Sequence, residues 1–299
     1  MPVVDIRAAR AAVQETLSSK LFFPVRIMPL LGVNPDDHSE RFPAPFMQMV
    51  TGIPNTNEIT QELILGVHGP VYKLVENETA FRSVDEAIIQ SNIDCQEMSF
   101  NDVLLNGGRQ AIRIYIFPAV KQTIIPNTIV ELELRVVNSY DGTLKFGYIA
   151  SAILQGQRIG MTFRQGRMQS FGKHTTNINI DNIIRRLNIV VEQFNYETNV
   201  WKNFCNYVCS EYDFTDLVNS MSQINDLLKE TLTTKFIQNA RLNGQTLWCA
   251  YLTLCHWTND QGSIAAAYIN NAEGIRLNRE KQIRQVFNSQ QWRQLSTNN

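Results

Sequence analysis

Hydrophobic positions along this chain recur with two different periods, and the change from one to the other divides it. From Arg109 to Phe117, Ile112, Ile114 and Ile116 alternate with Arg113 and Tyr115, the period of two that a pleated strand requires. From Ile129 to Val137 the alternation is stricter. Val130, Leu132, Leu134 and Val136 share one face, with Glu131, Glu133 and Arg135 on the other, which predicts one buried face and one wet face. The residues Asn138-Ser139-Tyr140-Asp141-Gly142 include types that tolerate the positive φ of tight turns. Thr143 to Ala150 is therefore expected to return as the partner strand, with Arg158 to Phe163 as a further one. From Asn179 the period lengthens: Ile180, Ile183, Ile184, Leu187, Val190, Val191, Phe194, Trp201, Phe204 and Val208 fall at helical steps and predict a long helix, interrupted near Asn195. Further helices are expected at Thr215 to Glu230, Thr246 to Trp257 and Arg276 to Ser289; in the second of these, Trp248, Trp257, Tyr251 and Leu254 read as core.

Ahead of this region the signals are weaker. Ile6, Ala9, Val13 and Leu17 share one helical face and predict an opening helix. Phe23 to Asn57 holds six of the ten prolines, at Pro24, Pro29, Pro35, Pro43, Pro45 and Pro54, and is expected to be an extended arm or long connecting loop on its own domain or on a neighbouring subunit. Gln61 to Val67 and Val71 to Val75 read as short strands. Ser83-Val84-Asp85-Glu86 has capping-box spacing and predicts a helix starting at Ser83. The pattern as a whole predicts an α+β fold: a central antiparallel sheet followed by a long helix and a helical C-terminal half. Its divisions are an N-terminal helix and proline-rich arm at 1–60, an α+β core at 61–210, and a helical region at 211–299.

Composition changes this picture in two ways. With 44% hydrophobic and 18% charged residues the chain can bury enough apolar surface to fold. Its net charge of -1 conceals a strong asymmetry. Residues 1–104 carry 7 Lys+Arg against 14 Asp+Glu, a net of -7; residues 105–186 carry 11 against 4, a net of +7; the remainder carries 9 against 10. An excess of that size marks a candidate anion-binding face, nucleic acid above all; the alternative is that the acidic N-terminal segment packs on the basic middle. No apolar run approaches the ~18 residues that span a bilayer, and the opening residues lack the basic flank and apolar core of a secretion leader, so a cytoplasmic chain is expected. Five cysteines, an odd number at low density, predict free thiols in a reducing compartment.

The candidate chemistry centres on Arg158 to Asn177, where Arg158, Arg164, Arg167, Lys173 and His174 are interleaved with Gly160, Gly166 and Gly172 and with Phe163 and Phe171. Cations on a flexible loop can follow a phosphate backbone while aromatic rings stack on unpaired bases. Arg109 and Arg113, on the polar side of the first central strand, extend the set. The nucleic-acid-binding candidates are thus Arg109, Arg113, Arg158, Arg164, Arg167, Lys173 and His174, with Phe171 as stacking partner. The plainer alternative for the same loop is a solvated connection whose aromatics belong to the core. Cys205, Cys209, Cys249, Cys255 and His256 lack a Cys-x2-Cys pair and sit in apolar helical stripes, where Cys behaves as a small hydrophobe; no metal and no other cofactor is expected. Four scattered histidines, no Gly-x-Ser-x-Gly elbow and no phosphate-binding glycine loop leave no catalytic motif. Glu131 and Glu133 read as a solvated surface rather than a paired-carboxylate site.

Several short landmarks occur in order: Tyr72-Lys73-Leu74-Val75 with Phe81 and Asp85, Asn138-Ser139-Tyr140-Asp141-Gly142-Thr143, the Arg158 strand, Lys173-His174-Thr175, and Leu247-Trp248 through Thr258. On these the chain, from about Gly69 to Leu295, resembles the phage/plasmid-like protein family of unknown function, encoded by bacteriophages, prophages and conjugative plasmids. It departs from the family pattern at Tyr140, where a His is usual, and at Met161 and Phe163, where a Cys and an Asn are usual. The resemblance implies a bacterial cytoplasmic setting beside genes of DNA replication and recombination, and brings no catalytic residue. Two functions are expected, the first from the basic central block and its loop, the second from the proline-rich arm and acidic N-terminal segment. One is a non-enzymatic, homo-oligomeric protein that binds single-stranded DNA for annealing or protection. The other is a counter-defence protein or other inhibitor that wraps a host protein.

Overall fold

A computed structural model describes residues 19–54, 61–155, 159–164, 168–171, 178–259 and 272–297. The fold is α+β, with antiparallel sheets in the N-terminal half and helices in the C-terminal half. No helix among the described residues is long and apolar enough to cross a membrane. The predicted opening helix at Ile6 to Leu17 and the loop residues Arg158, Arg167, Lys173 and His174 lie outside the described residues.

The proline-rich stretch is not a loop. Strands β1 (Val25–Val33) and β2 (Arg41–Gly52) pair antiparallel through it, and β3 (Leu63–His68) pairs on the other side of β2. The prolines are accommodated because Pro29 lies on the edge strand β1, while Pro43 and Pro45 lie in the part of β2 beyond its pairing with β3, which runs only from Gln48 to Gly52; proline lacks a ladder donor and is confined to such edges. Val50, Leu65, Phe23 and Tyr140 form the core beneath this sheet. Val71 to Val75, expected as a strand, has no regular structure.

Helix α1 (Asn77–Gln90) begins six residues before the expected start at Ser83. Tertiary contact decides the start. The first helical amide, that of Asn77, donates to the Tyr140 hydroxyl at 2.9 Å, supplying a partner that helix N-termini lack internally. Ser83 lies mid-helix, and its hydroxyl donates to the Thr79 carbonyl at 2.8 Å.

The second sheet has the strand order β4 (Ser99–Leu105), β5 (Gln110–Ile125), β6 (Thr128–Ser139), β7 (Gly147–Leu154) and β8 (Ile159–Thr162), with the short β9 (Gln169–Ser170) pairing β7. The alternation over Ile129 to Val137 does form a strand, but the expected wet face is absent: every residue from Val130 to Ser139 is buried, Glu131, Glu133 and Arg135 included. β5 and β7 pair the two edges of β6, and the burial of successive residues shows that both of its faces are covered as well, so its charges need partners inside the protein. The turn after β6 places Gly142 at φ 74, as its sequence predicts.

Helix α2 (Ile180–Phe204) runs without the interruption expected at Asn195. The single helix expected at Thr215 to Glu230 is two: α3 (Glu211–Asn219), opened by a Ser210/Asp213 capping box, and α4 (Asp226–Asn243), capped by the Asn225 side chain. Thr246 caps α5 (Leu247–Thr258), which is buried almost throughout, and α6 (Ala272–Phe287) and α7 (Gln290–Leu295) follow.

The chain forms two compact units, each drawn from three stretches. The first takes the residues up to Ala119, Leu134–Ile149 and Met168–Ile189; the second takes Val120–Glu133, Ala150–Arg167 and the chain from Val190 onward. The first unit holds β1–β3, α1 and β4. The second holds an aromatic core in which Tyr251 stands 5.2 Å from Trp201, 5.6 Å from Trp248 and 5.1 Å from Phe287.

Candidate functional site

Arg113 was expected on an exposed strand face and is instead fully buried, as is Arg135 of the same unit. Its Nε and Nη2 donate to the two oxygens of Asp102 at 2.7 and 2.9 Å, and its Nη1 to Asp85 Oδ2 at 2.9 Å. Tyr115 donates to the other Asp85 oxygen at 2.6 Å, and the Ser19 hydroxyl to Asp102 at 2.5 Å. The rings of Phe100, Phe81 and Phe22 cover the guanidinium, the nearest centroid lying 4.4 Å away. Burial raises the Asp85 pKa above the usual carboxylate value, opposed by Arg113 and the Tyr115 hydroxyl. Burial also works against the Arg113 charge, but the Asp102 hydrogen bonds and nearby negative charges outweigh it and hold the guanidinium ionised. Both carboxylates are consumed by this pairing. The group can stabilise the unit but is closed to a phosphate, which removes Arg113 from the expected DNA-contact set.

The turn after β6 carries a second polar neighbourhood of the first unit. The Asn138 side-chain amide donates to Val75 O at 3.0 Å and to Asn77 Oδ1 at 2.9 Å. His68 Nε2 lies 2.5 Å from the Tyr140 carbonyl, which can only accept, so that nitrogen carries the proton; the ring stacks on Tyr72 at 3.8 Å. Gln110 donates to Thr143 Oγ1 at 2.8 Å and Asp141 Oδ2 at 3.3 Å. Burial, with Asp141 nearby, pushes the Tyr72 phenol up to about 12. Arg109 and Lys145 stand exposed at this same end of the sheet, where β5 and β7 begin and β6 ends; the Tyr140 amide donates to Arg109 O at 2.7 Å. Comparison with protein-family models, curated proteins and solved structures found no match.

The remaining expected contacts fare differently. Phe171 is buried, 5.2 Å from the Phe146 ring and 5.0 Å from Tyr148, so it is a core residue and not a stacking platform. Arg164, in the second unit, pairs with the buried Glu197 at 3.4 Å and lies over the Tyr196 and Phe204 rings at 6.0 and 5.8 Å. Of the eight candidates, Arg109 alone among the described residues is both exposed and without a carboxylate partner in the ion pairs found. Among the described cations of residues 105–186, Arg113 and Arg135 are buried and Arg164 is paired, whereas Arg109, Lys121, Lys145 and Arg185 are exposed.

In the second unit Glu133 accepts from Ser151 at 2.8 Å and meets Arg276 at 3.4 Å, and Arg276 also meets the buried Glu280 at 3.2 Å. This chain of buried charges engages Glu133, so that carboxylate is not open to acid–base chemistry. Among the described residues, no group of three or more His, Cys, Asp or Glu side chains is arranged to hold a metal ion. The five cysteines are unpaired, and four of them are buried.

What the sequence reading missed is apolar and on the surface. The β1–β3 sheet exposes Ile27, Leu31, Val33, Phe42, Phe46 and Met47, Phe46 at 74%. Ile53, Ile64, Val67 and Val71 add to the same sheet and its margins. The signal is present as hydrophobic residues spaced between the prolines, but six prolines in one stretch argue against helix and for an extended arm or loop, and so mask it.

Proposed function

We propose that this chain is a non-enzymatic interaction protein that works by engaging another protein through the apolar side chains exposed on the β1–β3 sheet. The observation that carries this reading is that sheet's exposed apolar surface. So many large apolar side chains exposed on one small sheet, Leu31 and Val33 on one face of its ribbon and Phe42 on the other, mark an interaction region. The Arg113 pairing with Asp85 and Asp102 supports it from the other side, because part of the charge that suggested a DNA groove is neutralised by the chain's own N-terminal segment. The bacteriophage or mobile-element setting rests on the sequence landmarks, and a protein partner there fits an inhibitor or an assembly factor.

Single-stranded DNA is the second reading. It is favoured by Arg109 and Lys145, exposed at one end of the second sheet. One experiment separates the two: the wild-type chain and a Phe42→Ser/Phe46→Ser variant are purified from bacteria carrying the element and titrated with single-stranded DNA. The protein reading expects a stoichiometric protein partner, a further copy included, that the variant loses, and no saturable DNA binding at physiological salt. Tight DNA binding that the variant retains, with no protein partner lost, would reverse the order.

A further inference from the structure

We infer that the partner of the β1–β3 sheet is a second copy of this chain, held head to tail, an inference that rests on the reading above. β3 pairs only Gln48 to Gly52 of β2. Beyond it β1 and β2 continue as a two-stranded ribbon, with Leu31 opposite Pro43, Gly32 opposite Phe42 and Val33 opposite Arg41. A lone pair of strands is marginal in water, and this one exposes apolar side chains on both faces, Leu31 and Val33 on one and Phe42 beside Gly32 on the other, with Phe46 and Met47 exposed further along β2. Its prolines blunt edge-to-edge strand addition, so it is the side-chain surface that needs cover.

Charge identifies what supplies that cover. The turn joining β1 and β2 bears Asp36, Asp37 and Glu40, all exposed. Hydrogen bonds from the Ser39 hydroxyl and amide hold the Asp37 pKa below its usual value, and the three carboxylates outnumber the one arginine beside them, Arg41, so the tip is net negative. At the opposite end of the ribbon Val25 pairs with Gly52, and Gly108 lies against Pro54 and Phe23, which puts the exposed Arg109 at the base. Eight residue steps from Val25 to Val33, at roughly 3.3 Å each, separate base from tip by about 26 Å. The acidic tip is out of reach of its own Arg109, but not of a neighbour's. The base also exposes Ile53 and Ile64, so a distal surface that is apolar and acidic finds on the next copy a proximal surface that is apolar and basic. The contact uses two different patches, and such heterologous contacts close into rings or extend as filaments.

The test uses the full chain in sedimentation velocity, with circular dichroism confirming that each variant is folded. Wild type is expected to assemble at about 50 μM, well above a micromolar Kd. Phe42→Ser/Phe46→Ser removes the donor surface and Arg109→Glu/Lys145→Glu the acceptor; each alone is expected to weaken assembly about tenfold or more. Mixed in equal amounts, the two variants are expected to form a dimer and stop there, since one brings an intact acceptor and the other an intact donor. A wild type that stays monomeric, or a mixture that does, overturns the inference. If wild type is monomeric but retains a host protein that the Phe42/Phe46 variant loses, self-assembly falls while the protein-binding reading stands; if no protein is lost, both fall.

Discussion

Arg113 Nη1 donates to Asp85 at 2.9 Å while Nε and Nη2 of the same guanidinium grip Asp102, so one side chain of β5 ties both α1 and β4 to its strand. With no exposed surface, this arginine acts on stability alone. Arg113→Ala leaves two enclosed carboxylates without their cation, and removing one member of a buried ion pair costs about 3–5 kcal/mol. Urea denaturation is the measurement. A loss below about 1 kcal/mol would mean that the group is solvated.

Phe171→Ala separates core from surface in the loop that suggested base stacking. Its ring is packed between Phe146 and Tyr148, and its carbonyl accepts from the Asn182 side chain at 3.0 Å. Truncation is expected to destabilise the chain by about 3–5 kcal/mol, as for other buried aromatics. An unchanged melting temperature together with weakened DNA binding would return the ring to the surface.

His256 predicts an acid-side loss of stability. Burial, reinforced by Lys235, holds its pKa below the ordinary 6.5. The folded chain therefore binds this proton less tightly than the unfolded chain does. The stability it contributes is present above the unfolded value and is lost as pH falls from there toward the lower folded value. Thermal melts between about pH 7.5 and 5.5 should show the decline in wild type and a flatter profile in His256→Gln. Identical profiles would remove this histidine from the account.

The thiols should be slow. Burial pushes Cys95, Cys205 and Cys249 up to about 11 and Cys209 and Cys255 up to about 12. Since the thiolate is the reacting species, a disulfide reagent near pH 8 should label the native chain far more slowly than the denatured chain. Fast stoichiometric labelling of native protein would contradict the burial.

Gly66 and Tyr140 set the spacing between the first sheet and the turn after β6. A Cβ on Gly66 would overlap the Tyr140 carbonyl oxygen, and neither backbone can yield as a side-chain tip would. Gly66→Ala is expected to lower stability by about 1–3 kcal/mol, the range for overpacking, read as a drop in the urea midpoint. No drop would show that the turn can move.

Periodicity was enough to find β5, β6, α2 and α5, because each buries a regular face that one-dimensional spacing records. It could not show what covered the other face. Glu131, Glu133 and Arg135 looked solvated because alternation reports side, not cover, and Glu133 finds Ser151 and Arg276 only through partners 18 and 143 residues away. Ser83 had the right neighbours for a cap, but the helix start was decided by the Tyr140 hydroxyl, 63 residues from Asn77. Arg113 shows the same limit at the candidate site: composition counted its charge, and only the fold reveals that Asp85 and Asp102 have already claimed it.

The interleaving of the two units sets an order in time. The first unit is not complete until residues 168–189 have been made, although most of it lies before residue 120. On a ribosome adding about 5–20 residues per second, its early strands wait several seconds for their last partners, with the apolar ribbon of β1 and β2 already outside the exit tunnel. For a sequence that emerges on many ribosomes of one message at once, that interval is when neighbouring nascent chains can first meet.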